Sequence, residues 1–517
     1  MSRQVMFCFI LLLFFISHGQ YSIRTHATPE KISKEENIFP FNKQTYVTNF
    51  TFGSVIVSDQ PQLSITEREF LVDYSLSEEH QVFDVLPINS THLFFNILKD
   101  NSLYLLDKET GNAIEYQFPT GITPFKLKMA NDGSIWLTDY TYKFNDTDTH
   151  IVHFFPNNLT YHSYRINGGS VAPFDLLVDE DRIWFSLWLG NSIGYLKPEK
   201  KEITIIDIVC AETCGPLGLV KDHEGKIWFV ESYTNLLVRY APETGAIIKY
   251  PVDPDFIAPV GVVIDGNGKL WSGSHGGDLI VQFDPDTASV NRKYYVPKPE
   301  NNIILAGIND LHIDRLQRVW AVEHFKDSVA VLDHDTIIEY RTEGDEPTAQ
   351  FGKLSGNDFW FAQFKYGIIS VVPENKQVDI EITLKSNTIN FQKGRSATVE
   401  LEITYLSGPV PLLELTPFAD AVGSQLIHGS QQNEKLILKQ GETTSYSLKV
   451  EVSSNVKISQ YHGIVGFANQ NLRIFANVNL VITENFFQTL IFNNLGGYLL
   501  FATYVVLKRK PWKSSGN

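Results

Sequence analysis

Between Val47 and Val378 the chain alternates short apolar-aromatic runs with turns rich in Asp, Asn, Gly and Pro. The run IWFVES, Ile227 to Ser232, shows the unit. The turn HEGK precedes it, and LLVRYAPETG (Leu236–Gly245) and IIKYPV (Ile247–Val252) follow it. Variants of the first run are LFFNI, IWLTD, IWFSL, LWSGS, VWAVE and FWFAQ. Their central aromatics are Phe94, Trp136, Trp184, Trp228, Trp271, Trp320 and Trp360, spaced by 42, 48, 44, 43, 49 and 40 residues. A period of this length built from β-like runs is the signature of propeller blades, four-stranded sheets that cannot bury their faces alone. Helical repeats of similar length are excluded because the runs are short, β-branched and aromatic, and broken by turn residues.

Within a unit the pattern predicts four strands, as in PLGLVK, KIWFVES, LLVRYAPE and IIKYPV. The turns ANDGS, DHEGK and DGNGK supply the positive φ that a tight hairpin needs. EFLVDYSL, Glu69 to Leu76, has the form of a fourth strand but precedes the first unit. It is expected to complete the last sheet and so close the ring. From about Asp379 the period gives way to two-residue alternation in TVELEITYL, SYSLKVEVSS and LRIFANVNLVI, which predicts an antiparallel sandwich of immunoglobulin size. The fold class expected is therefore all-β: a seven-bladed β-propeller over 46–378, an immunoglobulin-like β-sandwich over 379–485, and one transmembrane helix.

The ends add a route. Residues 1–20 carry Arg3, an apolar stretch from Val5 to Ile16, and small residues at 17 and 19, the pattern of a signal peptide. Residues 21–45 are a polar linker. Residues 486–507 are long enough to cross a bilayer, and the basic tail 508–517 fits the cytoplasmic side. An uncleaved N-terminal anchor and a docked apolar tail are the alternatives. The ectodomain is thus expected outside the cell, on a single-pass membrane protein. The sequons at Asn49, Asn89, Asn145 and Asn158 agree with that placement. So does the pair Cys210 and Cys214, read as a small disulfide, since two thiolates alone make a poor zinc site. The net charge of −16 argues against a nucleic-acid partner, which would need a basic surface.

Candidate chemistry lies where second strands end, three residues after each anchor: Ile97, Asp139, Leu187, Glu231, Ser274, Glu323 and Gln363. His275 and His324 follow two of them, and first strands add Asp175, Asn309, Asp310 and His312. Asp139, Glu231 and Glu323 could hold a hard cation such as Mg²⁺ or Ca²⁺. The plain alternative is that they pair with nearby lysines. His312, Glu323 and His324 could do acid–base work, or could simply hold strands together. There is no phosphate-binding glycine loop and no serine-nucleophile elbow.

The run RIWFSLWLGNSIGYLKPE, Arg182 to Glu199, and its repeats over about 65–378 resemble the streptogramin B lyase (virginiamycin B lyase) family. That resemblance implies a seven-bladed propeller and a Mg²⁺-dependent elimination that opens a cyclic depsipeptide. The family takes its base from a histidine on Pro-His-Gly-type first strands, paired with the glutamate of WF-x-E. Here the equivalent positions hold Phe125, Phe174, Leu217, Val260, Asn309 and Ala349. Glu231 and Glu323 match the glutamate without its histidine. The blades also resemble gluconolactonase-like propellers, which bind a divalent metal on the axis. The function expected is a membrane-anchored propeller that binds an extracellular small molecule, carbohydrate or protein. The alternatives are a metal-dependent lyase or lactone hydrolase in the channel, and a purely architectural part of the cell envelope.

Overall fold

The computed structural model describes residues 42–483, apart from 77–79, 99, 120, 140–148, 168–171, 212, 299–304, 327, 343–348, 393–394, 422–426, 430–434 and 453–458. The segments expected as signal peptide, transmembrane span and tail, most of the expected linker, and Asn145 lie outside the described residues. Among the described residues no helix is long and apolar enough to cross a membrane. The chain forms two compact units. One runs to Asp379 and includes Ser407–Val410 and Gln470–Arg473; the other holds the remaining residues from Ile380.

The first unit is built of propeller-like blades, each named here by its second-strand aromatic. The Trp228 sheet is typical, with strands Pro216–Lys221, Ile227–Glu231, Leu236–Tyr240 and Ile247–Pro251 paired antiparallel in that order. Inner strands of successive sheets lie side by side, and Ala349–Ser355 of the Trp360 sheet returns to Val82–Pro87 of the Phe94 sheet. Val72–Ser75, within the segment expected to complete the last sheet, pairs with Ile368–Val372 and does so.

Turn chemistry explains the tryptophan of three sheets. In the Trp228 sheet, Asp222 takes the N–H groups of Glu224 and Lys226 on one carboxylate oxygen and the Trp228 indole N–H on the other, at 2.7 Å. Asp265 does the same for Trp271 at 2.9 Å, and Asp314 for Trp320 at 3.0 Å. One aspartate thus satisfies the hairpin donors and the one polar atom of a buried ring. The apolar cores lie between neighbouring blades. One joins Val82, Phe95 and Leu106 to Trp360 and Ile369 across the closing seam, and another joins Trp184 and Ile206 to Phe229 and Tyr240.

A strap not foreseen from the repeat runs along the rim. Lys43–Val47, Phe50–Ser54, Ile56–Gln62 and Ser64–Glu67 each add a strand to the Trp184, Trp136, Phe94 and Trp360 sheets in turn, against the chain order of the blades.

The second unit contains long antiparallel strands, among them Ser396–Ser407 paired with Glu442–Val452 and Leu412–Ala421 paired with Gln460–Ala468. Val399, Leu401, Ile403 and Tyr405 are buried at every second position, as alternation requires.

Candidate functional site: the channel of the propeller

Each inner strand carries a register shift near its start, for example between Val82 and Val85, Pro124 and Leu127, and Pro173 and Leu176. Such a bulge adds a residue and frees backbone groups from the ladder. Three aspartates at the bulge meet that need. Asp84 accepts the N–H of Leu127 at 2.9 Å, Asp175 that of Leu219 at 3.0 Å, and Asp310 that of Gly352 at 3.3 Å. In each case the donor belongs to the next sheet, so the carboxylates stitch the inner strands together.

The same layer carries cations. Lys126 Nζ lies 3.7 Å from Asp84 and 3.9 Å from Asp310. It also sits 3.4 Å from the centre of the Phe351 ring. Lys126 comes from the Trp136 sheet and Asp310 from the Trp320 sheet, so their contact crosses the ring. Lys353 reaches Asp84 at 3.5 Å, Lys128 reaches Asp175 at 3.8 Å, and His312 Nε2 lies 3.1 Å from Asp310. Three carboxylates and three ammonium groups balance. Burial pushes the Lys126 ammonium down to about 8, against the pull of Asp84. Burial also opposes charge on Lys353, but Asp84, Asp310 and Asp175 outweigh it and its pKa is raised. Burial would raise Asp310, yet His312, Lys126 and Lys353 hold it far below the ordinary carboxylate range.

Beside these charges lies an aromatic layer from the adjoining inner-strand positions. Phe83 stacks on Phe125 at 4.2 Å and meets Phe351 at 5.1 Å, while Phe174 meets Phe125 at 5.5 Å and Phe351 at 5.9 Å. Residues that follow the second strands continue it. Trp188 lies 6.4 Å from Phe174 and stacks with Tyr233 at 6.2 Å. His275 and His324 lie 5.3 Å apart, with Phe325 against both. Burial holds both imidazoles neutral, at about 3 for His275, where His324 adds to the effect, and about 4 for His324. Ala349 O accepts from His324 Nδ1 at 2.8 Å, which places that proton.

The carboxylates at the second-strand ends lie elsewhere. Asp139 accepts from Thr123 N at 2.7 Å and pairs with His150 at 3.0 Å. Glu231 pairs with Lys249 at 2.6 Å and accepts from Thr234. Glu323 lies 3.5 Å from Lys326 and accepts from Ser328. Burial and Glu339 push the Glu323 carboxyl up to about 8. Each of these contacts lies within the carboxylate's own blade. A hard cation needs oxygens that converge, and among the described residues no three His, Cys, Asp or Glu side chains do so. Asp139, Glu231 and Glu323 thus form no common cluster.

Other expected residues are placed as follows. Gln363 donates to Ser370, which donates to Asp73, within the closing seam. Asn309 donates to Gln350 O at 2.6 Å. Register sets Gln350, not Ala349, level with Phe125 and Phe174, because Ala349 pairs with Gln363 as Pro124 pairs with Asp139. Cys210 and Cys214 are joined by a disulfide. Asn49, Asn89 and Asn158 are exposed. Asp84, Lys126, Lys128 and Lys353 were not singled out from sequence. Aligning first strands at the bulge would have found the charged column Asp84, Lys126, Asp175 and Asp310.

The Virginiamycin B lyase family model matches residues 63–313. Virginiamycin B lyase from Staphylococcus aureus is similar in structure, with TM-score 0.51 and 18% identity over 58% of this chain and 98% of that one. A streptogramin B lyase gives TM-score 0.51 and 21% identity over 58% and 97%. A catalytically inactive variant of the S. aureus enzyme with quinupristin gives TM-score 0.51 and 19% identity over 58% and 98%. No curated protein sequence matches the chain significantly. At these identities the likeness shows a β-propeller of the virginiamycin lyase type, and no more.

Proposed function

We propose that the chain is a membrane-anchored extracellular propeller that binds a ligand or partner protein at its aromatic channel mouth and does not open depsipeptides. In this reading the blades form a seven-bladed ring, followed by an immunoglobulin-like sandwich, a single span and a cytoplasmic tail, with the N-terminal signal removed. The observation that carries the binding role is the state of the channel. Lys126, Asp84, Asp310 and Lys353 neutralise one another there, beside packed phenylalanines. Phe125, Phe174, Leu217, Val260, Asn309 and Gln350 stand where a histidine base would be needed. None can take a proton from carbon at neutral pH.

The mouth suits recognition. Tyr233, Phe174 and Phe325 keep part of their rings exposed, against the buried Trp188 and two uncharged imidazoles, a combination that packs against sugar rings or apolar peptide side chains. Glycan and peptide arrays probed with the ectodomain test this. Binding is expected, and it should be lost in Trp188→Ala with folding intact. Binding that survives both Trp188→Ala and Tyr233→Ala would move the site away from the mouth. A metal-dependent lyase or lactone hydrolase is the second reading, supported by Glu323, a carboxyl whose pKa burial and the neighbouring Glu339 raise.

A further inference from the structure

The strap obeys a rule that two uncovered blades also satisfy. Between its strands one residue turns inward and is buried: Thr48, Val55 and Leu63. Each gives its N–H to the carbonyl of a left-handed residue in the turn before the outer strand. The acceptors are Lys201 at 2.9 Å, Leu159 at 3.0 Å and Gly111 at 2.7 Å, with φ of 54°, 60° and 75°. The same turn places Gly245 at φ 77° in the Trp228 sheet and Ala288 at φ 52° in the Trp271 sheet. In those sheets Ile247–Pro251 and Ser289–Tyr295 are the last strands, with nothing paired outside them among the described residues.

The usual guards of an open edge are charged side chains held over it. Here Lys249 turns inward, while Lys293 and Arg292 stay partly exposed in ion pairs. Lys249 is engaged by Glu231 and Val209 O, Lys293 by Asp253, and Arg292 by Asp335 and the Tyr294 hydroxyl. The two edges continue the path of the strap, which begins at Asn42 O accepting from Asp207 N on the neighbouring Trp184 sheet.

We propose that the outer edges of the Trp228 and Trp271 sheets form a β-addition site for an extended segment of a partner protein. The segment would lie in the register of the strap, with one small or aliphatic residue at each crossing that donates its N–H to Ala288 O or Gly245 O. Main-chain pairing supplies the affinity of such a site, and the crossing residue supplies the selectivity. The chain's own upstream sequence, PEKISKEENIFPF, is a poor occupant. It carries prolines at 29 and 40, has charges between them, and is poorer in β-branched and aromatic residues than the strap. The site is separate from the channel mouth, so it stands whether or not the mouth binds a ligand.

A synthetic peptide with the sequence Lys43–Val57 is the probe. It is added to the full chain while amide hydrogen exchange is followed. Exchange is expected to slow at Ile247–Pro251 and Ser289–Tyr295, saturably, with the other outer strands unchanged. A Thr48→Pro peptide loses one crossing N–H and should bind about tenfold more weakly. No protection at millimolar peptide would overturn the proposal. So would protection confined to the sheets that already carry the strap, which would be strap exchange. Slow exchange of both edges before any peptide is added would also overturn it, because the chain would then be filling them itself.

Discussion

Lys126 offers the sharpest test of the channel, because its environment sets both the sign and the size of a pH effect. Burial lowers its pKa from 10.5 to about 8 in the folded chain. The unfolded chain therefore binds more protons than the folded one between pH 8 and 10.5. Stability should rise with pH across that window, since its slope follows the difference in bound protons. At about 1.4 kcal/mol per pH unit the full effect is about 3 kcal/mol. Spread over a unit of this size, that is about 4 °C in melting temperature. Lys108, also lowered to about 8 by burial, titrates in the same window, so the informative quantity is a difference. The melting temperature of the ectodomain would be followed by calorimetry at pH 7.5 and pH 10, for the wild type and for Lys126→Met. The methionine keeps most of the side-chain volume against Phe351 and removes the titration. The wild type should gain about 4 °C more than the variant. At pH 7.5 the variant leaves Asp84 and Asp310 with Lys353 as the remaining lysine between them. An equal pH response in both proteins would refute the reasoning, because Lys126 would then be titrating as if in water.

Other outcomes follow from the same contacts. Acid should destabilise the folded chain below pH 6.5, because burial keeps His275 and His324 neutral when folded while the unfolded imidazoles charge. The slope is about 1.4 kcal/mol per pH unit per histidine, and His275→Phe should flatten thermal melts taken from pH 6.5 to 4. Asp265→Ala removes the acceptor for the Trp271 indole and two turn amides and should cost about 2–4 kcal/mol in chemical denaturation. Reducing the Cys210–Cys214 disulfide opens a loop of five residues, which the chain-entropy model values at about 2 kcal/mol, measurable as a lower melting temperature in reductant.

The blades were legible because a local rule repeats. In three sheets an aspartate caps a hairpin and holds an indole, and the aromatic anchors recur every 40–49 residues. The closing strand was legible for the same reason, since EFLVDYSL copies the form of a fourth strand. The strap was not, because its residues alternate too weakly and most stay exposed. Among its described residues only Thr48, Val55 and Leu63 are buried, at crossings that a strand template does not contain. The charges of the inner strands were not legible from position alone. Second-strand ends looked like the axis, but Glu231 and Glu323 turn toward lysines of their own blades. A one-residue step in a strand changes the face presented, and the bulge moves the channel charges onto the first strands, at Asp84, Lys126, Asp175 and Asp310.

The most direct measurement incubates the ectodomain with quinupristin and Mg²⁺ and follows ring opening by mass spectrometry, with the S. aureus virginiamycin B lyase as the positive control. The expected result is intact quinupristin with this chain under conditions where the control opens it fully. Mg²⁺-dependent opening that disappears in Glu231→Gln or Glu323→Gln would contradict the binding role and restore catalysis to the second-strand carboxylates.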